Sequence, residues 1–276
     1  MLTAEQEKKG ECIWVPTAKQ QVFLSSPFQE VLYGGAAGGG KSDALMIDMM
    51  GLGQNALNWP KYRAILFRKT FPELGELVDR SRNIYPQIFP GAVYNTTEHE
   101  WRFPSGAKIQ FSYMDKDDDR HKHAGSEYQW IGFDELTHWA SPVCFRFLQS
   151  RLRSTNPDIK CYLRAGTNPG SRGHAWVKDY WQINNAGDET AFVHVTNRDG
   201  YSARSTRQFI SARLDDNPHL SDSGYKDVLL KLPEKDRKKL LDGRWDIMEG
   251  QYFTSWNPAK HIIEPFVIPP DWPRWR

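Results

Sequence analysis

The stretch Gly35-Ala36-Ala37-Gly38-Gly39-Gly40-Lys41-Ser42 constrains this chain more than any other part of it. It follows a run, Glu30 to Tyr33, that reads as a buried strand, and it opens an apolar-periodic segment, Lys41 to Met50, that reads as a helix. A glycine-rich turn alone could join strand to helix without any ligand. The pattern G-x-x-x-x-G-K-S in this setting is a phosphate loop instead. Glycines let successive backbone N–H groups turn inward, and the helix N-terminus adds the positive end of its dipole. Lys41 is placed to reach β- and γ-phosphates and Ser42 to ligate Mg²⁺. The turn therefore predicts a Mg·ATP site built by Gly35, Ala36, Ala37, Gly38, Gly39, Gly40, Lys41 and Ser42.

A phosphate loop also demands a particular scaffold, and the rest of the chain supplies its pattern. Arg63 to Phe67 reads as the next strand and Glu73 to Tyr85 as the helix behind it, with further strands at Gln129 to Phe133 and Cys161 to Ala165. Alternating strands and helices predict a mostly parallel sheet flanked by helices. Val93 to Tyr113 alternates differently, with Pro104, Ser105 and Gly106 between two runs, and predicts an inserted antiparallel hairpin. Past Tyr180 the pattern weakens into short strands and then two helices, Ser221 to Lys231 and Glu234 to Leu241, separated by Pro233 and stopped by Gly243. The expected organisation is an N-terminal segment over 1–29, a P-loop core over 30–200, a lid or linker over 201–250 and a connector over 251–276 containing Pro265, Pro269, Pro270 and Pro273. The fold class predicted is α/β, a P-loop NTPase.

The apolar run Trp130-Ile131-Gly132-Phe133 ends in Asp134-Glu135. Nucleotide hydrolysis needs a carboxylate at a strand end to hold Mg²⁺ and a second group to orient the attacking water. Asp134 suits the first role and Glu135 the second. In isolation an acidic pair after a strand would equally be a loop start with Asp as a cap; behind a phosphate loop it reads as catalytic. A kinase would place an acceptor pocket where Glu135 stands, and a binding module with a structural loop would bind ATP without turning it over.

Composition narrows the setting. Hydrophobic residues at 39%, charged residues at 25% and a mean hydropathy of -0.66 describe a water-soluble globular chain. A formal charge of +2 and a pI near 8.3 leave nucleic-acid binding open. Cys12, Cys144 and Cys161 show no C-x-x-C spacing, so neither a disulfide framework nor zinc is expected, and a reducing compartment fits. Glu5, Glu7, Lys8 and Lys9 occupy the place of a signal peptide's apolar region, and no run approaches the roughly 18 apolar residues of a membrane span. A cytoplasmic protein without membrane contact is expected.

Several short motifs occur together in one order: Pro16-Thr17-Ala18-Lys19-Gln20, the phosphate loop, Arg68-Lys69-Thr70, Gly125-Ser126-Glu127, Asp134-Glu135, Gly166-Thr167-Asn168-Pro169, Asp216-Asn217-Pro218 and Gly243-Arg244-Trp245. In that order the chain resembles the large terminase subunits of tailed bacteriophages, a P-loop ATPase motor joined to a nuclease. The resemblance implies that Gln20 reads the adenine edge through its amide, the alternative being a surface glutamine. It implies that Thr167 and Asn168 sense the γ-phosphate, where plain Asn-Pro turn chemistry is the other reading. Many terminases carry an arginine inside the loop, and here none stands there. The missing charge is expected from Arg120, Lys122, Arg68 or Arg151, with Arg120 taken as a catalytic finger acting on a neighbouring subunit. The implied function is ATP-driven movement of double-stranded DNA into a viral procapsid in the host cytoplasm. The implied partners are DNA, a portal protein, a small terminase subunit and other copies of the chain in a ring, with an isolated copy monomeric; a helicase-like ATPase is the alternative. Pro269 to Arg276 resembles the entry to a nuclease, and the upstream acids are scattered, so no DNA cleavage is expected of these residues.

Overall fold

The run ahead of the glycine-rich turn is a strand, β1 (Glu30–Gly35), buried at every position. The other expected core strands form as β2 (Arg63–Arg68), β6 (Trp130–Asp134) and β7 (Tyr162–Thr167). The computed structural model describes residues 12–221, 224–246 and positions 261, 262, 264, 266, 267 and 272. Residues 1–11 and most of the expected connector over 251–276, Pro265, Pro269, Pro270 and Pro273 included, lie outside the described residues.

Among the described residues nine strands make one sheet; with β3 (Val93–Asn95), β4 (Glu100–Arg102), β5 (Lys108–Tyr113), β8 (Thr190–Arg198) and β9 (Tyr201–Ala212) the order is β3-β4-β5-β2-β6-β7-β1-β9-β8. The five central pairings, β5 to β2, β2 to β6, β6 to β7, β7 to β1 and β1 to β9, are parallel. The expected hairpin comprises β3 (Val93–Asn95), β4 (Glu100–Arg102) and β5 (Lys108–Tyr113). Its last strand is antiparallel to β4 and parallel to β2, so the hairpin extends the sheet rather than standing apart from it.

The far edge corrects the expectation of short strands. β8 (Thr190–Arg198) and β9 (Tyr201–Ala212) form a long antiparallel ribbon, and β9 pairs with β1 from Glu30↔Arg207 to Gly35↔Ala212. Residues 201–212 therefore belong to the sheet, and a boundary at residue 200 falls in the ribbon's turn. The outer half of the ribbon is exposed on both faces, so Ser202, Arg204 and Ser205 break the apolar alternation that marks a strand.

Helices cover both faces, which is why the central strands are apolar at consecutive positions. One face packs α1 (Ala18–Leu24), α2 (Lys41–Asp48) and α3 (Leu74–Ile88) through Phe23, Leu45, Leu77 and Tyr85. The other packs α4 (Val143–Gln149) and α5 (His174–Tyr180) through Phe145 and Val177, with Phe133 and Trp181. Fully burying a side chain such as Phe133 contributes about 1.5–3 kcal/mol. The expected lid resolves into α6 (Pro218–Ser221), α7 (Tyr225–Leu230) and α8 (Glu234–Leu240). Among the described residues no helix is long and apolar enough to cross a membrane.

Candidate active site

The parallel register brings the C-terminal ends of β1, β6, β7 and β9 to one edge. Gly34 lies opposite Thr167, Asp134 opposite Gly166, and Gly35 opposite Ala212. Every chemical group expected of a nucleotide site except Gln20 and Arg120 comes from this edge or from the first turn of α2.

The phosphate loop is held at its carbonyl oxygens by side chains, its own Lys41 and three from outside it. Lys41 Nζ donates to Ala36 O at 2.6 Å, Asn217 Nδ2 to Gly38 O at 2.6 Å, Tyr33 Oη to Gly39 O at 2.9 Å and Gln20 Nε2 to Gly40 O at 2.9 Å. The N–H groups of Ala36 and Ala37 donate to Ala212 O and Leu240 O, each at 2.7 Å. Those of Gly38 to Asp43 have no backbone acceptor among the described residues. With its carbonyls turned out and bound, the loop presents its remaining N–H groups at a helix N-terminus, the arrangement that binds a phosphate chain. Gly35 is required here: its φ is +136°, and a Cβ would sit 2.3 Å from Ala212 O.

Gln20 is 4% exposed, and both ends of its amide are engaged. Its Oε1 accepts from Thr17 N–H at 2.8 Å, completing a capping box at the start of α1, while Nε2 holds the loop. It is a strut between helix and loop. It also lines a cavity of about 570 Å³ together with Ile13, Trp14, Gly40 and Arg80. Lys41 is buried, which lowers its pKa against the opposing pull of Glu135 and Asp134.

Asp134 is 1% exposed. Its Oδ2 accepts two hydrogen bonds from Arg68, from Nε at 2.9 Å and Nη2 at 2.6 Å. Its Oδ1 is buried and has no hydrogen-bond partner among the described residues. A Cβ placed on Gly166 would lie 3.2 Å from that oxygen and 3.5 Å from Lys41 Cβ, so the free oxygen faces the loop helix across a residue with no side chain. A buried carboxylate oxygen without a donor, at a strand end close to the first turn of α2, fits an oxygen-loving dication. Glu135 follows in the left-handed region at φ 56° and ψ 50°. Burial, then the neighbouring Asp134, raise its pKa, while Lys41, His138 and Arg68 pull it down.

Thr167 and Asn168 end β7 between these two halves. Thr167 Oγ1 accepts from Thr137 N–H at 3.1 Å and lies 2.8 Å from Thr137 Oγ1, and Thr137 Oγ1 donates to Asn168 O at 3.0 Å. Thr137, two residues past Glu135, thus ties the acidic strand's turn to β7; the sequence reading passed over it. Asn168 Oδ1 is buried and unpartnered among the described residues.

Of the four cations considered for the missing loop arginine, only Arg68 is joined to the acidic pair. Arg120 lies on a surface 3-10 turn over Asp117–His123 and bonds Asp117 O and Asp118. Lys122 pairs with Asp119 at 2.7 Å, and Arg151 lies over the Phe147 ring at 5.4 Å. Within one chain the fold does not bring Arg120 to the loop.

The lid reaches the loop through residues whose motifs were legible and whose contacts were not. Leu240 O and Asn217 bind it directly, and Gly243, at φ +63°, packs so closely that a Cβ would lie 2.8 Å from Ala36 N. Trp245 anchors the segment: it is fully buried, stacks on His174 at 5.1 Å and accepts at its carbonyl from Lys178 at 2.8 Å.

A phosphate loop opening the helix after β1, with an acidic pair ending a strand of the same parallel sheet, defines a P-loop NTPase. A family model described as terminase large subunit, T4likevirus-type, N-terminal, matches residues 55–256, and the chain belongs to that family. The matched span begins after the phosphate loop, so loop and family are independent findings. No curated protein matches. Among solved structures, the ADP complex of the large terminase from a thermophilic bacteriophage aligns at 14% identity and TM-score 0.61, covering 83% of this chain and 54% of that one. The same terminase with ATP-gamma-S gives 14% and 0.55, covering 83% and 52%. The ATPase domain of the Thermus phage P74-26 large terminase gives 13% and 0.54, covering 84% and 94%. These likenesses are of fold. The chain spans about half the length of the terminase solved with ADP.

Proposed function

We propose that this chain is the ATP-hydrolysing part of a DNA-packaging motor, coupling Mg·ATP cleavage to movement of double-stranded DNA into a procapsid. The observation that carries the reading is the convergence, in a terminase-family chain, of a loop with outward-bound carbonyls on a buried carboxylate whose second oxygen lacks a donor.

ATP would enter with its phosphates against the N–H groups of Gly38 to Asp43, and Lys41 would exchange the Ala36 carbonyl for phosphate oxygen. Mg²⁺, held by Ser42 and Asp134, would supply charge stabilisation on those oxygens. Glu135 would orient the attacking water and accept its proton; a carboxylate made more basic by burial is the better acceptor. Thr167 and Asn168 would register loss of the γ-phosphate by exchanging partners with Thr137. Gln20 would meet the adenine with whatever donor and acceptor capacity its two existing bonds leave.

Arg120 is proposed to act on a neighbouring copy's ATP in a ring mounted on a portal protein, with a small terminase subunit presenting DNA, in the host cytoplasm. An arginine supplied in trans is worth about 10³ to 10⁵ in rate. A lone chain is then a poor enzyme, and DNA cleavage is assigned to no residue described here. The deciding measurement is steady-state ATPase rate against protein concentration, with and without double-stranded DNA. Rate per chain should rise with concentration, and Arg120→Ala mixed with Glu135→Gln should recover part of it. ATP binding without turnover at any concentration, with DNA present, would refute the motor assignment.

A further inference from the structure

Arg68 takes Asp134 in an unusual way. A guanidinium facing a carboxylate commonly gives one N–H to each oxygen. Here Nε and Nη2 both go to Oδ2, and Oδ1 is left without a donor. A Cβ on Gly166 would lie 3.0 Å from Leu45 Cδ1, 3.2 Å from that oxygen and 3.5 Å from Lys41 Cβ, so the glycine is what lets the oxygen lie close to the loop helix. The guanidinium is mostly buried, at 13% exposure, and the Arg68 backbone is held in β2 opposite Tyr113.

Strand order decides what such an arginine can do. β2 lies next to β6 and is separated from β1 by β6 and β7. Three steps of about 4.8 Å put it roughly 14 Å from the strand that carries the phosphate loop. Asp134 stands between, and its Oδ2 already holds two of the guanidinium's N–H groups. Arg68 therefore acts through Asp134.

We propose that Arg68 is a positioning residue that fixes the plane of the Asp134 carboxylate and keeps Oδ1 turned toward the nucleotide's metal. The proposal rests on the nucleotide reading above and adds a residue to it. Two opposing effects meet at this pair. The guanidinium repels a dication, but across the carboxylate and from its far side. Removing it leaves a nearly fully buried carboxylate unpaired and free to rotate, and the loss of a partner from a buried pair is the larger effect. Deleting Arg68 is thus expected to weaken the metal, with the loop untouched.

The test separates metal from nucleotide. ADP affinity of the full chain is measured in EDTA, and Mn²⁺ affinity for the protein–ADP complex is then measured by electron paramagnetic resonance. Arg68→Ala should leave ADP binding in EDTA unchanged, which also reports an intact loop, and should weaken Mn²⁺ about 10- to 100-fold, the range for an outer partner of a metal ligand. Arg68→Lys keeps the charge and loses the fork, and should fall between; it also serves if the alanine variant misfolds. In an Asp134→Asn background Arg68→Ala should add nothing. Unchanged or tighter Mn²⁺ binding in Arg68→Ala and Arg68→Lys overturns the positioning role. A wild-type chain that binds no ADP in either condition overturns the nucleotide reading itself.

Discussion

The two edges of the same sheet bury charge in opposite ways. At the N-terminal edge the buried charges among the described residues are paired. Arg164, 1% exposed, donates to Asp48 Oδ2 at 3.1 Å and Phe28 O at 2.9 Å and lies 4.2 Å over the Tyr162 ring, while Trp130 Nε1 gives Asp48 a second donor at 2.7 Å. Glu30 accepts from Arg207 at 3.0 Å and Tyr180 at 2.7 Å. At the C-terminal edge Asp134 Oδ1 and Asn168 Oδ1 are buried without a partner among the described residues, and Glu135 sits in a backbone region that non-glycine residues seldom adopt. Saturated charge holds the sheet to its helices. Unsaturated charge is a standing cost to the fold, and it stays where a ligand would relieve it.

The largest expected effect is on the saturated edge. Arg164→Ala strands Asp48 at the end of α2, and breaking a buried pair from one side costs about 3–5 kcal/mol. Urea unfolding should show that loss in midpoint at constant slope. A loss below about 1 kcal/mol would mean the pair is dispensable, and the contrast between the edges would fail.

On the other edge the same kind of change should cost activity and not stability. Glu135→Gln is expected to lower turnover about 100-fold or more, the scale of a positioned base. Its effect on stability should carry the opposite sign to that of Arg164→Ala. Burial and Asp134 raise the folded-state pKa of Glu135 above its ordinary value of 4.5, so the ionised form opposes folding at every pH above that raised value. Glu135→Gln should therefore stabilise the chain at neutral pH, and the gain should vanish as pH falls toward 4.5 and the carboxyl takes up its proton in both states. Destabilisation at neutral pH would remove Glu135 from the unsaturated set.

The same contrast explains what could be read from residue order. β1, β2, β6 and β7 were legible because strands covered on both faces must be apolar throughout, and the phosphate loop because its glycines and Lys-Ser pair are local in sequence. The ribbon was misjudged: the pairing of β9 with β1 is non-local, and half of its residues face water. Arg68 could not be ranked above Arg120, Lys122 and Arg151, since what distinguishes it is the adjacency of β2 and β6. Gln20 is expected at an adenine edge, but a side-chain amide's capacity says nothing of which partners it finds; the capping box with Thr17 and the bond to Gly40 O appear only once α1 lies against the loop. The acidic strand end was legible as two carboxylates, and the single unpartnered oxygen was not.

The smallest effect expected is at the lid, where it tests whether the loop's shape is held from outside. Asn217→Ala removes the donor to Gly38 O. A neutral hydrogen bond contributes about 0.5–1.5 kcal/mol net, so ADP affinity should fall by about tenfold at most. Tyr33→Phe, which frees the buried Gly39 O, should cost somewhat more, since a buried acceptor left without its donor costs about 1–3 kcal/mol. The two losses should combine to less than their sum, because adjacent carbonyls belong to one turn and releasing the first lets the second relax. Asn217→Asp is the sharper variant: it has nearly the same shape, has no N–H to give, and sets a negative charge beside the place where phosphate would lie. It should weaken ADP more than Asn217→Ala does, and salt should narrow the difference. Equal affinities for wild type, Asn217→Ala and Asn217→Asp would show that the loop keeps its form without the lid. The struts on its carbonyls would then be packing and not preorganisation.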